Sequence, residues 1–343
     1  MSIVTLRLAD VKSLAETRPS TCRKCGSSLL QGWGWITKPV IDPQLQVVKV
    51  RRYRCCQCKH TFRHYPEGVL SADQTMRMQQ LGAIGWKLGL SLRGASALFG
   101  AFLVQITHMS IWRDVQAWKP TKPERVRVLG VDGFYSRQKG ELGGVVVAVD
   151  LGTGQPIALA QIQEKDVQAV VEWLQPLIEE LGVEVIVTDD LNSHGQMVEQ
   201  LGKKHQVCRF HMRRWVGKAL KNLRKQLNEA WYEAIDEVER IVTDLPSDGQ
   251  KLLFMLWQRI GEPRGKPDKQ ANALYRFRQV VLRLHNNWAK YVCFQAEIDV
   301  PATNNTTERA IEHWRTRSRS VRGFKSWNGL EAAFQLCNSP VTR

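Results

Sequence analysis

No apolar run in these 343 residues approaches the roughly 20 residues that a membrane-spanning helix needs; the longest, such as residues 143–149, are of strand length. The first residues do not combine a basic start, an apolar run and a small-residue cleavage site, so no signal peptide and no membrane are expected. Internal repeats and low-complexity segments are missing as well. Acidic residues are scarce: 33 Asp and Glu stand against 49 Lys and Arg, a formal charge of +16 with a pI near 9.7. A surface of that sign attracts polyanions, and nucleic acid is the expected partner. An RNA-binding structural protein would carry the same charge, so composition alone does not separate an enzyme from a binding module. The eight cysteines are not spread as a disulfide framework would be, since five lie between Cys22 and Cys58 and the others are Cys208, Cys293 and Cys337. That distribution suits a reducing, intracellular setting. A chain of this length with 43% hydrophobic residues has ample material for a core and is expected to form two or three domains.

What is present begins with two Cys-x-x-Cys pairs, Cys22 with Cys25 and Cys55 with Cys58, on either side of a β-rich stretch. Each pair fits a tight turn, and four converging thiolates at about 2.3 Å make a tetrahedral zinc site. One Zn2+ would then replace a core that so small a segment cannot build. Residues 18–68 therefore read as a zinc ribbon. Cys56 lies between the ligands and reads as a bystander, with His60 and His64 as weaker alternative ligands.

Residues 71–118 change to helical spacing in three amphipathic runs, broken near Leu88 to Ser91 and Val104 to Thr107. Ser91 is placed to cap the second run and Thr107 or Ser110 the third, as a helix-turn-helix over residues 70–119 requires. The last run, which carries Arg113 and ends at Trp118, suits a major groove; its alternative is a helical hairpin with Ile111, Val115 and Trp118 facing a core. Residues 120–125, with Pro120, Lys122 and Pro123, read as a joint. Behind it come a strand ending at Asp132, a strand over 144–150, a third from Pro156, a helix over 166–181 and a strand ending at Asp189 and Asp190. Three antiparallel strands, a helix and a further strand is the order of a ribonuclease H fold, an α/β class. A largely helical, Lys-, Arg- and Trp-rich stretch at about 195–300 interrupts it, so the catalytic domain spans 124–343 around that insertion. Glu308 then follows in the first turn of a helix that carries Arg309, Arg315, Arg317, Arg319 and onward to Arg322.

Three acids on strand ends and a helix start suit divalent magnesium, which takes hard oxygen ligands. Two ions about 3.5–4 Å apart can activate an attacking oxygen and neutralise a leaving one in phosphodiester displacement. The strand end offers Asp189 or Asp190 as the second acid, and Asp150, before the Gly152-Thr-Gly154 turn, reads as a hairpin acid. Arg113, Arg213, Arg214, Arg309, Arg315 and Arg319 are expected on phosphates. Trp215 and Trp288 belong in cores or, alternatively, stack on an unpaired base.

The segments Val-Leu-Gly-Val-Asp132-Gly, Val-Ile-Val-Thr-Asp189-Asp190 and Thr-Asn304-Asn305-Thr-Thr-Glu308-Arg309 resemble the three catalytic blocks of bacterial insertion-sequence transposases with a DDE, ribonuclease-H-like domain. The leading ribbon and trihelical run are similar to the N-terminal arrangement of such enzymes. Cys208-Arg-Phe-His211 resembles a Cys-x-x-His motif found between their second and third acids; alone it supplies only two ligands, which favours packing or DNA positioning over a second zinc. The resemblance implies Asp132, Asp189 and Glu308 as catalytic residues holding two Mg2+ (or Mn2+), Asp189 being favoured over Asp190 by the Thr-Asp pattern. It further implies binding of double-stranded DNA at terminal inverted repeats and at a target site, hydrolysis that frees a 3′ hydroxyl, and attack by that hydroxyl on the target. A dimer or higher oligomer on DNA and a cytoplasmic, nucleoid-associated location follow. The competing readings are a non-catalytic DNA-binding regulator derived from a transposase, and a nuclease or resolvase of the same fold.

Overall fold

The computed structural model describes residues 8–117, 123–138, 141–262 and 268–338. Trp118 and residues 119–122, which include part of the expected joint, lie outside them. The chain divides into two compact units, residues 1–121 with 313–343 and residues 122–312. Among the described residues no helix is long and apolar enough to cross a membrane.

The first unit begins with an antiparallel sheet ordered β1 (Leu30–Pro39), β2 (Val47–Cys55), β3 (Thr61–His64). Side chains alternate along β2, so Val48 and Val50 face one way while Tyr53 and Cys55 face the other. Each face has a small core of its own: Val11, Val40 and Val69 gather on the first, Cys22, Leu30 and Phe62 on the second. Three helices follow, α1 (Met76–Lys87), α2 (Leu92–Ala101) and α3 (His108–Ala117), around Met78, Ala95, Val104, Ile106 and Ile111. Their starts are legible. Ser91 Oγ accepts from the N–H of Gly94 at 2.9 Å, and Thr107 Oγ1 accepts from the N–H of Ser110 at 3.1 Å.

Asp42 joins sheet to helices. Its buried carboxylate accepts two bonds from Arg77 (3.1 and 2.9 Å), one from the Thr75 hydroxyl (2.6 Å) and one from the N–H of Gln44 (2.8 Å). Burial alone would raise its pKa, but the Arg77 and Thr75 bonds outweigh it and hold the carboxyl below its usual range.

The second unit holds β4 (Val128–Gln138), β5 (Glu141–Asp150), β6 (Pro156–Ala160), α4 (Val167–Leu181), β7 (Val185–Thr188), α5 (Asn192–Gln200) and β8 (Lys204–Val207). The strands make one mixed sheet ordered β6-β5-β4-β7-β8, antiparallel across β6, β5 and β4 and parallel across β4, β7 and β8. The central strands do not alternate polar with apolar residues, because the sheet is covered on both sides and they run as near-continuous apolar segments. Leu129, Val131, Val146 and Ile186 share one core with Leu174 of α4. Asp166 caps α4, and Gly182, at φ +67°, ends it in the left-handed conformation that glycine tolerates.

Residues 195–300, read as largely helical, also contain a strand, β8, which belongs to the sheet. The run Lys-His-Gln-Val shows no apolar pattern because two of its three buried side chains are polar and bonded: His205 Nε2 lies 2.9 Å from Thr188 Oγ1, and Gln206 Oε1 accepts from the N–H of Phe294 at 2.8 Å. After β8 the chain is helical, through α6 (Arg209–Arg224), α7 (Tyr232–Asp244), α8 (Gly249–Ile260), α9 (Lys269–Asn286), α10 (Trp288–Tyr291) and α11 (Cys293–Ala296). Met212, Val238, Leu253, Phe277 and Trp288 belong to their shared core. Trp288 is buried against Gly249, where any side chain would overlap its ring, so it packs and does not stack on a base. Trp215 is half-buried beneath Arg283, whose guanidinium carbon is 4.4 Å from the ring centre.

Two more helices complete the chain, α12 (Asn305–Ser320) and α13 (Trp327–Asn338). In the first unit α13 packs on α1 and α3. Arg317 of α12, for all its charge, is buried there over the ring of Trp86 (4.2 Å) and donates to the carbonyl of Leu90 (2.7 Å).

Removing one partner of a buried ion pair strands the other, at a cost of about 3–5 kcal/mol. Asp42→Ala should lower the denaturation midpoint of the whole chain accordingly, whereas Glu16→Ala, from the exposed Lys12–Glu16 pair, should shift it by under about 0.5 kcal/mol.

Candidate active site

Asp132 lies within β4 beside two glycines. A Cβ on Gly130 would overlap Thr307 Oγ1, Leu151 and Asn304, and one on Gly133 would overlap Glu164. These bare backbone positions let the start of α12 and the loop before α4 close on the strand from two sides. Asn304, fully buried, precedes α12; its side-chain amide donates to the carbonyl of Val131 at 3.1 Å, and its own carbonyl takes the N–H of Glu308. Glu308 thereby starts its helix over β4, in the first turn as the sequence implied.

Asp189 directly follows β7, the parallel neighbour of β4. Its Oδ1 is at ion-pair distance, 2.9 Å, from His211 Nδ1, and His211 Nε2 is 3.6 Å from Glu308 Oε1. The imidazole of the Cys-x-x-His segment thus stands between the second and third acids. Cys208, buried at the end of β8, lies under the N–H of Asn304 at 3.4 Å. Asp132, Asp189 and Glu308 do not themselves close to within 4.8 Å of one another; the two groups that do, among the described residues, are Cys22, Cys25, Cys55 with Cys58, and Asp189, Cys208 with His211. The second group gives the Cys-x-x-His pair a third candidate ligand, absent from the reading of the sequence.

The electrostatics follow from this gathering. Asp132 is pushed up to about 7 by burial first, then by Asp189 and, more weakly, by Glu164. His211 is raised to about 10, chiefly by the Asp189 carboxylate and then by Cys208. Glu164 and His194 form a further pair, Oε1 to Nε2 at 3.0 Å, and His194 Nδ1 sits 3.3 Å from the Asp189 carbonyl. His194 is buried, and His and Glu at these spacings carry no sequence signature of their own.

Asp190 is used elsewhere. It takes Arg283 at 2.9 Å and the Tyr291 hydroxyl at 3.1 Å, both from the helical insertion. Asp150 binds its own turn, accepting from the N–H of Gly152 and the hydroxyl of Thr153. Arg213 and Arg214 are exposed and, with Arg209, Phe210, Thr303 and Asn305, line an open depression of about 590 Å3. Arg113, Arg309, Arg315 and Arg319 are likewise exposed.

A model of the IS66 family of transposases matches residues 153–332, a stretch that holds Asp189, Cys208, His211 and Glu308. The chain belongs to the IS66 transposase family. It is accordingly a transposase of the DDE type of insertion sequence. Asp132 lies ahead of the matched residues. No curated protein matches the chain.

At the other site, four Sγ atoms lie within 4.8 Å of one another, with Cys22 to Cys58 at 3.7 Å and Cys25 to Cys55 at 3.6 Å. A tetrahedron of Zn–S bonds near 2.3 Å has edges of about 3.8 Å, so the donor set fits zinc. The N–H groups of Cys58 and Gln57 bring the Cys55 thiol down to about 6, the thiolate a metal needs. Cys56 is exposed and outside the group; His64 is bonded to Thr17, and His60 stacks on Phe62.

Two outcomes are expected. Metal analysis should find about one zinc per chain, lost with the ribbon's fold in a Cys25→Ser, Cys55→Ser variant and kept in Cys56→Ser. Without added divalent metal, a carboxyl whose folded pKa is raised favours folding most below its unfolded value near 4 and loses that contribution as pH rises through about 7. Asp132→Asn should therefore melt above the parent at pH 8, with the gap closing towards pH 4; melting curves across that window check it.

Proposed function

We propose that this transposase cuts and joins DNA at a ribonuclease-H-like centre in which Asp132, Asp189 and Glu308 hold two Mg2+ or Mn2+ ions. The observation that carries the reading is the meeting of β4, the end of β7 and the first turn of α12, where Asp132 feels the charge of Asp189 and Asp189 is linked through His211 to Glu308. The strand order β6-β5-β4-β7-β8, with the first three antiparallel and the rest parallel, is that expected of the fold. Carboxylates clustered at this density fit hard divalent cations. Bound there, the ions supply an activated attacking oxygen and stabilise the leaving one.

The chain's own residues do the positioning. Asp189 offers one carboxylate oxygen towards His211 and keeps the other for a cation. Glu308, 38% exposed on the first turn of α12, is the acid best placed to meet the scissile phosphate. Arg213 and Arg214, together with Arg309, Arg315 and Arg319, hold the DNA backbone. The ribbon and the three helices, read as a helix-turn-helix with α3 and Arg113 towards the groove, recognise the terminal inverted repeats. Joining two ends requires two copies or more on the DNA. Engagement of Asp190 by Arg283 and Tyr291 supports Asp189 as the second acid.

Asp132→Ala, Asp189→Ala and Glu308→Ala should each lose orders of magnitude in cleavage of element ends with magnesium present, while end binding survives and melting changes little or rises as repulsion is relieved. Asp190→Ala should keep most of its activity, less whatever its insertion contacts contribute. An active Asp189→Ala beside a dead Asp190→Ala reassigns the second acid, and undiminished cutting by all four sinks the reading. Cleavage without strand transfer would instead indicate a nuclease.

A further inference from the structure

Trp33 and Trp35 of β1 are 38% and 45% exposed, and each carries an arginine. The guanidinium carbon of Arg54 is 4.7 Å from the ring centre of Trp33, and that of Arg51 is 4.6 Å from that of Trp35. In an unbroken strand these indoles, two residues apart, would share a face. The β1–β2 register is interrupted between Gly32 and Trp35, where Gly34 takes φ +92°. Across that bulge Gln31 still pairs with Arg54 and Trp35 with Arg51, positions of opposite parity on β2, so the two stacks lie on opposite faces of the sheet.

The backbone between them is bare. Trp33 and Gly34 fall outside the β1–β2 ladder, β1 is the sheet's edge, and nothing lies within 4 Å of a Cβ built on Gly34. A Cβ on Gly32 would meet Arg51 Nη2 at 2.7 Å, so a side chain there would push that guanidinium from its place. Charge points one way: residues 22–65 contain nine Lys and Arg against Asp42 alone, which is buried on Arg77. Among the described residues neither Arg51 nor Arg54 pairs with an acid. A guanidinium laid on an indole keeps its N–H fork free and has lost much of its side-chain freedom in advance, which suits a phosphate oxygen.

We propose that this bulged edge, residues 32–35 with Arg51 and Arg54 braced by Trp35 and Trp33 on its two sides, grips the phosphate backbone of duplex DNA. The proposal rests on the reading of the chain as an enzyme that acts on DNA, and within the recognition of element ends it assigns to the ribbon the sequence-independent hold on phosphates, leaving the reading of bases to the helices.

The test uses the full zinc-loaded chain and a short fluorescent duplex of arbitrary sequence, titrated at several salt concentrations. Arg51→Gln with Arg54→Gln should weaken binding and lower the slope of log K against log salt by about two, at roughly 0.9 per phosphate contact. Trp33→Leu and Trp35→Leu should each weaken binding roughly two- to five-fold with the slope kept, because the charge remains and only its bracing is lost. Lys24→Gln with Lys59→Gln removes two exposed charges from the same module and should lower the slope by less. Zinc content equal to the parent's certifies each variant as folded. The proposal is overturned if the arginine pair binds as steeply as the parent, or no less steeply than the lysine pair. A parent chain that ignores the duplex altogether sinks the DNA-acting reading itself.

Discussion

The hydrogen bond from the Asn304 amide to the carbonyl of Val131 spans 173 positions of sequence, and the arrangement of the acids depends on it. β4 pairs with β7 only over Val128–Gly130, so the Val131 carbonyl lies beyond that pairing, where a side chain reaches it. Asn304 reaches because Gly130 has no Cβ and because Thr307, also buried, shares the space that Cβ would fill. Both Asn304 and Thr307 are buried polar residues, costly to place without partners. Their position fixes where the first turn of α12 begins, and so where Glu308 stands relative to Asp132.

Bringing carboxylates together in a half-buried place opposes folding, and the chain offsets this locally. Asp132 titrates near neutral pH, and His211 is held charged between Asp189 and Glu308. His194, which burial alone would lower, is raised by Glu164, a residue that also acts on Asp132. Two imidazoles thus interleave with four acids. A cation arriving at such a place displaces protons as well as water, so metal affinity and pH are coupled by construction. The Cys-x-x-His segment takes part because the end of β8 carries it beside the end of β7, with Cys208 N bonded to the Thr188 carbonyl.

Much of this was legible in the residues, for reasons that differ by element. The paired cysteines, the Ser91 and Thr107 caps, the apolar strands and the helix over 166–181 all rest on local chemistry, which a sequence displays. β8 was hidden because two of its three buried residues, His205 and Gln206, are polar, and polar residues satisfied by distant partners leave no periodicity. Glu164 and His194 were hidden for a related reason: each is unremarkable along the chain, and only the fold brings the loop before α4 to the end of β7. The stacking alternative for Trp288 fails because Asn-Asn-Trp looks like an exposed turn along the chain, whereas Gly249 opens a place for the ring in the helical core.

Asp189 and Asp190, adjacent in sequence, make different contacts. Neighbours at the end of a strand present their side chains to opposite sides, so one faces the centre and the other the neighbouring element. Arg283 and Tyr291 approach from the insertion and both bind Asp190. The phenol of Tyr291 is raised above its usual range by burial first and by Asp190 second, which keeps it a hydrogen-bond donor and ties that acid to the insertion's packing. Asp189 is left on the side of His211, Cys208 and Glu308. Asp190 therefore ties the helical insertion to the end of the sheet, while Asp189 stays clear of those contacts, which is the division of roles that the proposed mechanism requires.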